Sequence, residues 1–246
     1  MSAIRSEISL RLTSGATVLL LLILIALLTG SCRDCVTAEG PLRSEYRDAS
    51  TVTEVELAGD VDVVLVPSDT PFIHVEAREN VLELIETEIR GVTVRISTKE
   101  CLDLNEETRI RIGMKDLHMV IVGGSGNISS EGLFLTEEVQ VAISGSGEAR
   151  LNLSSSRITT SINGSGVISL FGFADYLKVN IAGSGNLACP DLHVDECEAL
   201  IAGSGTAELS VSRSLKARVN GSGNILYTGN PELDTRVTGS GSINKQ

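Results

Sequence analysis

The residues of this chain that are capable of chemistry are few, and most fall in one segment. Cys189-Pro-Asp-Leu-His-Val-Asp-Glu-Cys197 holds two thiols, His193 and three carboxylates within nine positions. Such a set offers zinc ligands, a disulfide between Cys189 and Cys197 in an oxidising compartment, or two thiols that act as small buried hydrophobes. The last reading is favoured, because both cysteines fall in otherwise aliphatic columns described below. No metal or cofactor is assigned. His74 and His118 stand alone, and His118 is expected to pack inside the fold. Cys101 has no evident partner, and Cys35 is expected to lie in a tether or to be removed. No Ser/His/Asp arrangement is legible.

Glycine is abundant at 24 residues, against four Phe, three Tyr and no Trp. Gly-Ser-Gly occurs seven times. Its glycines are Gly124 and Gly126, Gly145 and Gly147, Gly164 and Gly166, Gly183 and Gly185, Gly203 and Gly205, Gly221 and Gly223, and Gly239 and Gly241. A phosphate loop needs a lysine and a hydroxyl after its glycines, and none follows here. A calcium-binding β-roll needs aspartates in a nonapeptide repeat, whereas these triplets carry serine. The steps between first glycines are 21, 19, 19, 20, 18 and 18 residues. A period near 20 is that of a stacked repeat fold, with the triplets as its corners. Glycine at a corner is expected to supply positive φ and to let neighbouring coils approach closely.

The columns around the corners say what the stack is made of. Two residues before each triplet stand Val122, Ile143, Ile162, Ile181, Ile201, Val219 and Val237. Two residues after it stand Ile128, Ala149, Ile168, Leu187, Ala207, Ile225 and Ile243. Apolar and polar residues alternate on both sides of each corner, so the segments are half-buried strands. A helical period is absent after residue 31, and helices should be nearly absent. A hairpin array and a solenoid both accommodate triplets. Identical columns favour the solenoid, since like residues then stack at the ~4.8 Å strand spacing. The expected fold is an all-β, right-handed parallel β-helix or β-solenoid with coils of 18–21 residues, its middle serines forming an outward ladder from Ser125 to Ser240.

The ends of the chain complete the organisation. Arg5 and Arg11 precede an apolar run, Ala16 to Leu28, and small residues follow up to Cys32. That is the pattern of a secretory signal peptide. Leu28-Thr29-Gly30-Ser31-Cys32 resembles a bacterial lipobox, with the leucine one position early, which makes Cys32 the candidate for lipidation. Cleavage without lipid, or an uncleaved anchor, are the alternatives. Residues 1–31 are thus read as a signal of lipoprotein type and 32–50 as a polar tether. Residues 51–246 form a single solenoid domain, in which 51–118 cap the stack and 119–246 carry the triplets. Alternating strands are expected at 61–66, 72–76, 92–96 and 109–112, and a strand is favoured over a helical turn at 83–88.

Val61-Asp62-Val63-Val64-Leu65, Gly124-Ser125-Gly126-Asn127-Ile128 and the recurring triplets resemble the bacterial family of putative auto-transporter adhesins with a head GIN domain. The resemblance covers about residues 51–229. It implies a β-helix-like solenoid, export and often a lipid anchor, and it supplies no catalytic residues. The formal net charge of −12 argues against nucleic acid as a partner. The expected protein is a noncatalytic envelope protein, held to the membrane by its lipid and binding an unidentified protein or polysaccharide. A structural or stress-regulatory scaffold is the first alternative. A carbohydrate-active β-helix is the second, weakened by the lack of Trp and the scarcity of Tyr for stacking sugars. The outer membrane or periplasm is the expected location.

Overall fold

Alternation and corners together wind the chain into a β-solenoid of about seven turns. The structure, a computed structural model, describes residues 35–49, 52–104 and 107–246. The signal segment and Cys32 lie outside the described residues. In chain order the strands are β1 (Val36–Thr37), β2 (Leu42–Arg47), β3 (Glu54–Leu57), β4 (Asp62–Pro67) and β5 (Phe72–Arg78). Then come the single-turn α1 (Glu79–Leu82), β6 (Ile85–Arg90), β7 (Thr93–Thr98), β8 (Leu102–Asp103), β9 (Arg109–Met114), β10 (Met119–Val122) and β11 (Asn127–Ser130). The long strands that bend around corners follow: β12 (Phe134–Gly145), β13 (Glu148–Gly164), β14 (Val167–Gly183), β15 (Asn186–Gly203) and β16 (Thr206–Gly221). The last three are β17 (Asn224–Thr228), β18 (Glu232–Gly239) and β19 (Ser242–Lys245).

Each coil has three faces. The first face precedes the triplet, where Ile143 pairs with Ile162, Ile162 with Ile181, Ile181 with Ile201 and Ile201 with Val219, all in parallel. The second face follows the triplet, where Ala149, Ile168, Leu187, Ala207 and Ile225 stack in the same way. The third face closes the coil, with Phe134 on Leu153, Leu153 on Gly172 and Gly172 on Leu192. Side chains of the repeated columns point inward: Ile143, Ile162, Ile181 and Ile201 are all at most 2% exposed. Burying each such side chain contributes roughly 1.5–3 kcal/mol, so a column is a large share of the stability.

The two glycines of a triplet are required for different reasons, and the two roles expected of corner glycine divide between them. Only the first turns the chain. Gly145, Gly164, Gly183, Gly203, Gly221 and Gly239 have φ between 120° and 141°, a region closed to most L-residues. Gly124, in the first triplet, does not. At Gly183 a Cβ would also stand 2.5 Å from the Gly164 carbonyl oxygen. The second glycines, Gly126, Gly147, Gly166, Gly185, Gly205, Gly223 and Gly241, all lack positive φ. What they lack is space, because the coil below comes too close for a side chain. A Cβ on Gly166 would meet Ile143 Cγ2 at 2.5 Å and the Gly147 oxygen at 2.7 Å. The same pair of obstacles repeats up the stack. At Gly185 it is Ile162 Cγ2 and the Gly166 oxygen, and at Gly205 Ile181 Cγ2 and the Gly185 oxygen. At Gly223 it is Ile201 Cγ2 and the Gly205 oxygen, and at Gly241 Val219 Cγ1 and the Gly223 oxygen. Coils are therefore locked together at the corner, where the Gly145 oxygen accepts from both the Ser165 and Gly166 N–H groups at 3.0 Å. The middle serines all face solvent, as an outward ladder requires.

The amino-terminal end departs from simple winding. The coil made by β3 and β4 is sandwiched between two others: β10 and β11 pair on one side of it, β7 and β9 on the other. The chain thus lays its first coil, adds a second beneath it, and crosses back to begin the triplets above. Below, β5 runs antiparallel to β9 and β2, and β6 antiparallel to β7. The expected polar tether is corrected here. Residues 36–47 belong to the fold as β1 and β2, because Arg47 donates to the Leu82 and Ile85 carbonyl oxygens and a Cys35–Cys101 disulfide fastens β1 beside β8. Sequence alone offered neither cysteine a partner. Residues 83–88 divide between the turn after α1 and strand β6. His118 is a further correction: it is exposed, its Nδ1 lying 3.4 Å from the Glu138 carbonyl oxygen, while its neighbour Leu117 fills the core.

Candidate functional site

On the third face, successive coils bring together residues that lie far apart in sequence. Phe173 pairs with His193 and His193 with Ser210; on the inward side Ala174, Val194 and Val211 stack. A groove of about 320 Å³ runs across this face, lined by Val194 and Val211 among others and reaching Gly229. Phe173 is 60% exposed, far more than an aromatic ring in a core. Its ring and that of His193 have centroids 5.5 Å apart, tilted by 40°. Asp175 and Asp195 also line the groove. Ser212 donates to Asp195 Oδ1 at 2.8 Å, and Arg213 lies 3.8 Å from the same carboxylate and 2.6 Å from Glu196. The groove thus sets an apolar ring face beside hydrogen-bond acceptors open to water.

The sequence-predicted cluster does not assemble. His193 points out into the groove, whereas Cys189 and Cys197 point into the core, 0% and 3% exposed. Both are free thiols, so the disulfide between them is corrected: each occupies the aliphatic slot of its own column, on Leu209 and Leu215 respectively. Burial pushes the Cys189 thiol up to about 12 and raises Cys197 as well, which makes both inert. Among the described residues no group of three or more His, Cys, Asp or Glu is placed to hold a metal. The triplet glycines, from Gly124 and Gly126 to Gly239 and Gly241, sit at the corners and line no part of this groove.

Phe173, Asp175 and Ser212 were not singled out by the sequence, whereas His193 and Asp195 came from the cluster read there. Their face carries the irregular part of the repeat: pairing shifts register between Ser169 and Gly172, between Cys189 and His193, and between Val194 and Glu196. The signal available was the uneven coil length, since bulges re-aim side chains.

The outer surface of the first face carries a polar ladder across coils. Arg157 stacks over Tyr176 with its guanidinium carbon 4.6 Å from the ring centre, Tyr176 donates to Glu198 at 3.1 Å, and Lys216 reaches Glu198 at 2.7 Å. The Lys216 ammonium, followed by the Tyr176 hydroxyl, holds the Glu198 carboxyl below its ordinary range despite some desolvation. Tyr176 is raised, first by burial and then by this carboxylate.

A parallel β-solenoid with an open groove on one face defines the class, a stacked-coil scaffold. The family model described as putative auto-transporter adhesin, head GIN domain, matches residues 51–231, and the chain belongs to that family. It is similar in fold to a putative adhesin from Bacteroides fragilis, at 19% identity and a TM-score of 0.81, over 86% of this chain and 100% of that one. A putative lipid binding protein from Parabacteroides distasonis gives 25% identity and a TM-score of 0.72, over 87% and 100%. A putative adhesin from the same organism gives 24% and 0.68, over 87% and 100%. No curated protein matches the chain.

Proposed function

We propose that this chain is an exported, noncatalytic binding module of a bacterial cell envelope, anchored by lipid at Cys32, that holds a polysaccharide strand in the third-face groove. The observation that carries the reading is the exposed Phe173 ring against His193, flanked by Asp175 and Asp195. A sugar ring presents an apolar face to an aromatic side chain, and its hydroxyls are donors for carboxylates. The acidic balance of the chain favours a neutral or basic polymer over an acidic one. Membership of an adhesin family supports export and surface binding, and the Cys35–Cys101 disulfide supports an oxidising compartment.

Immobilised protein should retain polysaccharide from envelope extracts. Phe173→Ala should weaken retention about tenfold, on the scale of one lost aromatic contact, while the circular dichroism and Tm stay unchanged. Retention of protein but no polysaccharide, or equal retention by Phe173→Ala, overturns the reading. Palmitate labelling that persists in Cys32→Ala overturns the anchor.

A further inference from the structure

A stack of strands presents an unpaired edge at each end unless something covers it. The two ends of this solenoid differ. At the lower end the antiparallel strands β5 and β6 continue the coil of β7 and β9, with Ile85, Val94 and Ile110 at most 2% exposed, and among the described residues the outermost strands β2 and β6 each have one partner. At the upper end, among the described residues, β18 pairs only with β16 and β19 only with β17. Leu233 and Val237 continue the inward column, yet they are 48% and 41% exposed, while Leu215 and Val219 directly below are 1% and 0%. Core positions and free backbone groups thus share one open edge, whose strand β18 has no proline and carries the charges of Glu232, Asp234 and Arg236.

We propose that this edge is a homodimer interface: β18 pairs antiparallel with β18 of a second copy across a twofold axis at Thr235. Head-to-tail growth would need a lower end that repeats the parallel coil, and there the chain has left it for the antiparallel strands β5 and β6. A twofold contact uses one patch twice, so the patch must complement itself. The charges of β18 do so with the axis at Thr235, where no like charges oppose each other. With the axis at Thr235, Asp234 faces Arg236 of the second copy, Arg236 faces Asp234, and Leu233 meets Val237 on the core side. Moving the axis to Asp234 sets two aspartates against each other, and moving it to Arg236 sets two arginines; like charges directly opposite destabilise a sheet. Asp234 also accepts from Arg218, 2.7 Å away in the coil below. The joined first faces become one continuous sheet, and the exposed Leu233 and Val237 side chains are buried.

The test uses the full chain in its native membrane. Opposed antiparallel residues have Cα atoms ~4.5–5.5 Å apart, within the range a disulfide spans. Thr235→Cys should therefore cross-link to a dimer on mild oxidation and return to monomer with thiol, whereas Ser204→Cys, on a mid-stack corner, should not. Adding Asp234→Arg to Thr235→Cys should cut the cross-linked fraction at least about tenfold, and adding Arg236→Asp as well should restore it. Monomer in the Thr235→Cys chain, equal cross-linking at Ser204→Cys, or dimer unaffected by Asp234→Arg overturns the proposal. Failure of the charge-swapped double variant to recover, with its strand signal intact, overturns the register.

Discussion

The corner where the first face meets the second and the open third face are built from the same chain at the same coil spacing, yet they obey opposite rules. At the corner every coil repeats its residues: two glycines, an outward serine, and a branched aliphatic beneath. Each coil's side chains set the space left for the next, so Gly166 is fixed by Ile143, Gly185 by Ile162 and Gly205 by Ile181. On the third face the inward residues change from coil to coil, through Phe134, Leu153, Gly172 and Leu192, and the pairing slips. The corner cannot vary without disturbing its neighbours. The third face varies freely, and it is there that an aromatic ring and acceptors stand open to water.

The hardest break of this contrast is at the wall. Ile181→Asp places an unpaired carboxylate where the side chain is 2% exposed, between Ile162 and Ile201. The expected loss is at least about 4 kcal/mol, read as a fall in Tm of roughly 10 °C or more. An unchanged Tm would mean that the column is not core. Next in size is Gly183→Ala, whose new Cβ meets both an unfavourable φ of 124° and the Gly164 oxygen. A loss of about 2–4 kcal/mol is expected by denaturant titration, against about 0.5 kcal/mol or less for Ser184→Ala between the same two glycines. If the two variants unfold alike, the corner is not what locks the coils. On the third face, Phe173→Ala should leave stability within about 0.5 kcal/mol, because the ring buries little. A loss comparable to that of Gly183→Ala would show that the groove is structural.

What the sequence disclosed follows the same division. Columns such as Val122 to Val237 were legible because seven near-copies reinforce one another, and the solenoid followed from their stacking. The triplets were legible as corners for the same reason, but their two glycines look alike in sequence. Only the stacked coils separate the turning role of Gly183 from the crowding at Gly185, Gly223 or Gly241. Residues that occur once had no such reinforcement. Cys35 and Cys101 are 66 residues apart, and only the reversed order of the first two coils brings them together. His118 occupies a repeat position, but β10 enters the stack from the cap rather than from a preceding coil, so Leu117 takes the inward place. Phe173 became visible only when coils of unequal length were laid in register.

The smallest expected effect tests whether outward ladders contribute to the wall at all. Glu198 is held below its ordinary pKa by Lys216 and Tyr176, so its contribution is complete above the unfolded value of ~4.3 and disappears as pH falls through the lowered folded value. Lys216 is raised by the same pair, and its share is lost only as pH climbs through a value above its ordinary 10.5. Between those limits the ladder should be flat with pH. Both partners remain well exposed, 52% for Lys216 and 39% for Glu198, so screening keeps the contribution of the pair small. Glu198→Gln should therefore lower Tm by about 1–2 °C at pH 7, and the difference from the parent should close below about pH 4. A difference that persists in acid would assign the effect to packing of the Glu198 stem against Tyr176 rather than to its charge. The first-face wall would then owe its outer surface, like its inner one, to contact between equivalent positions in successive coils.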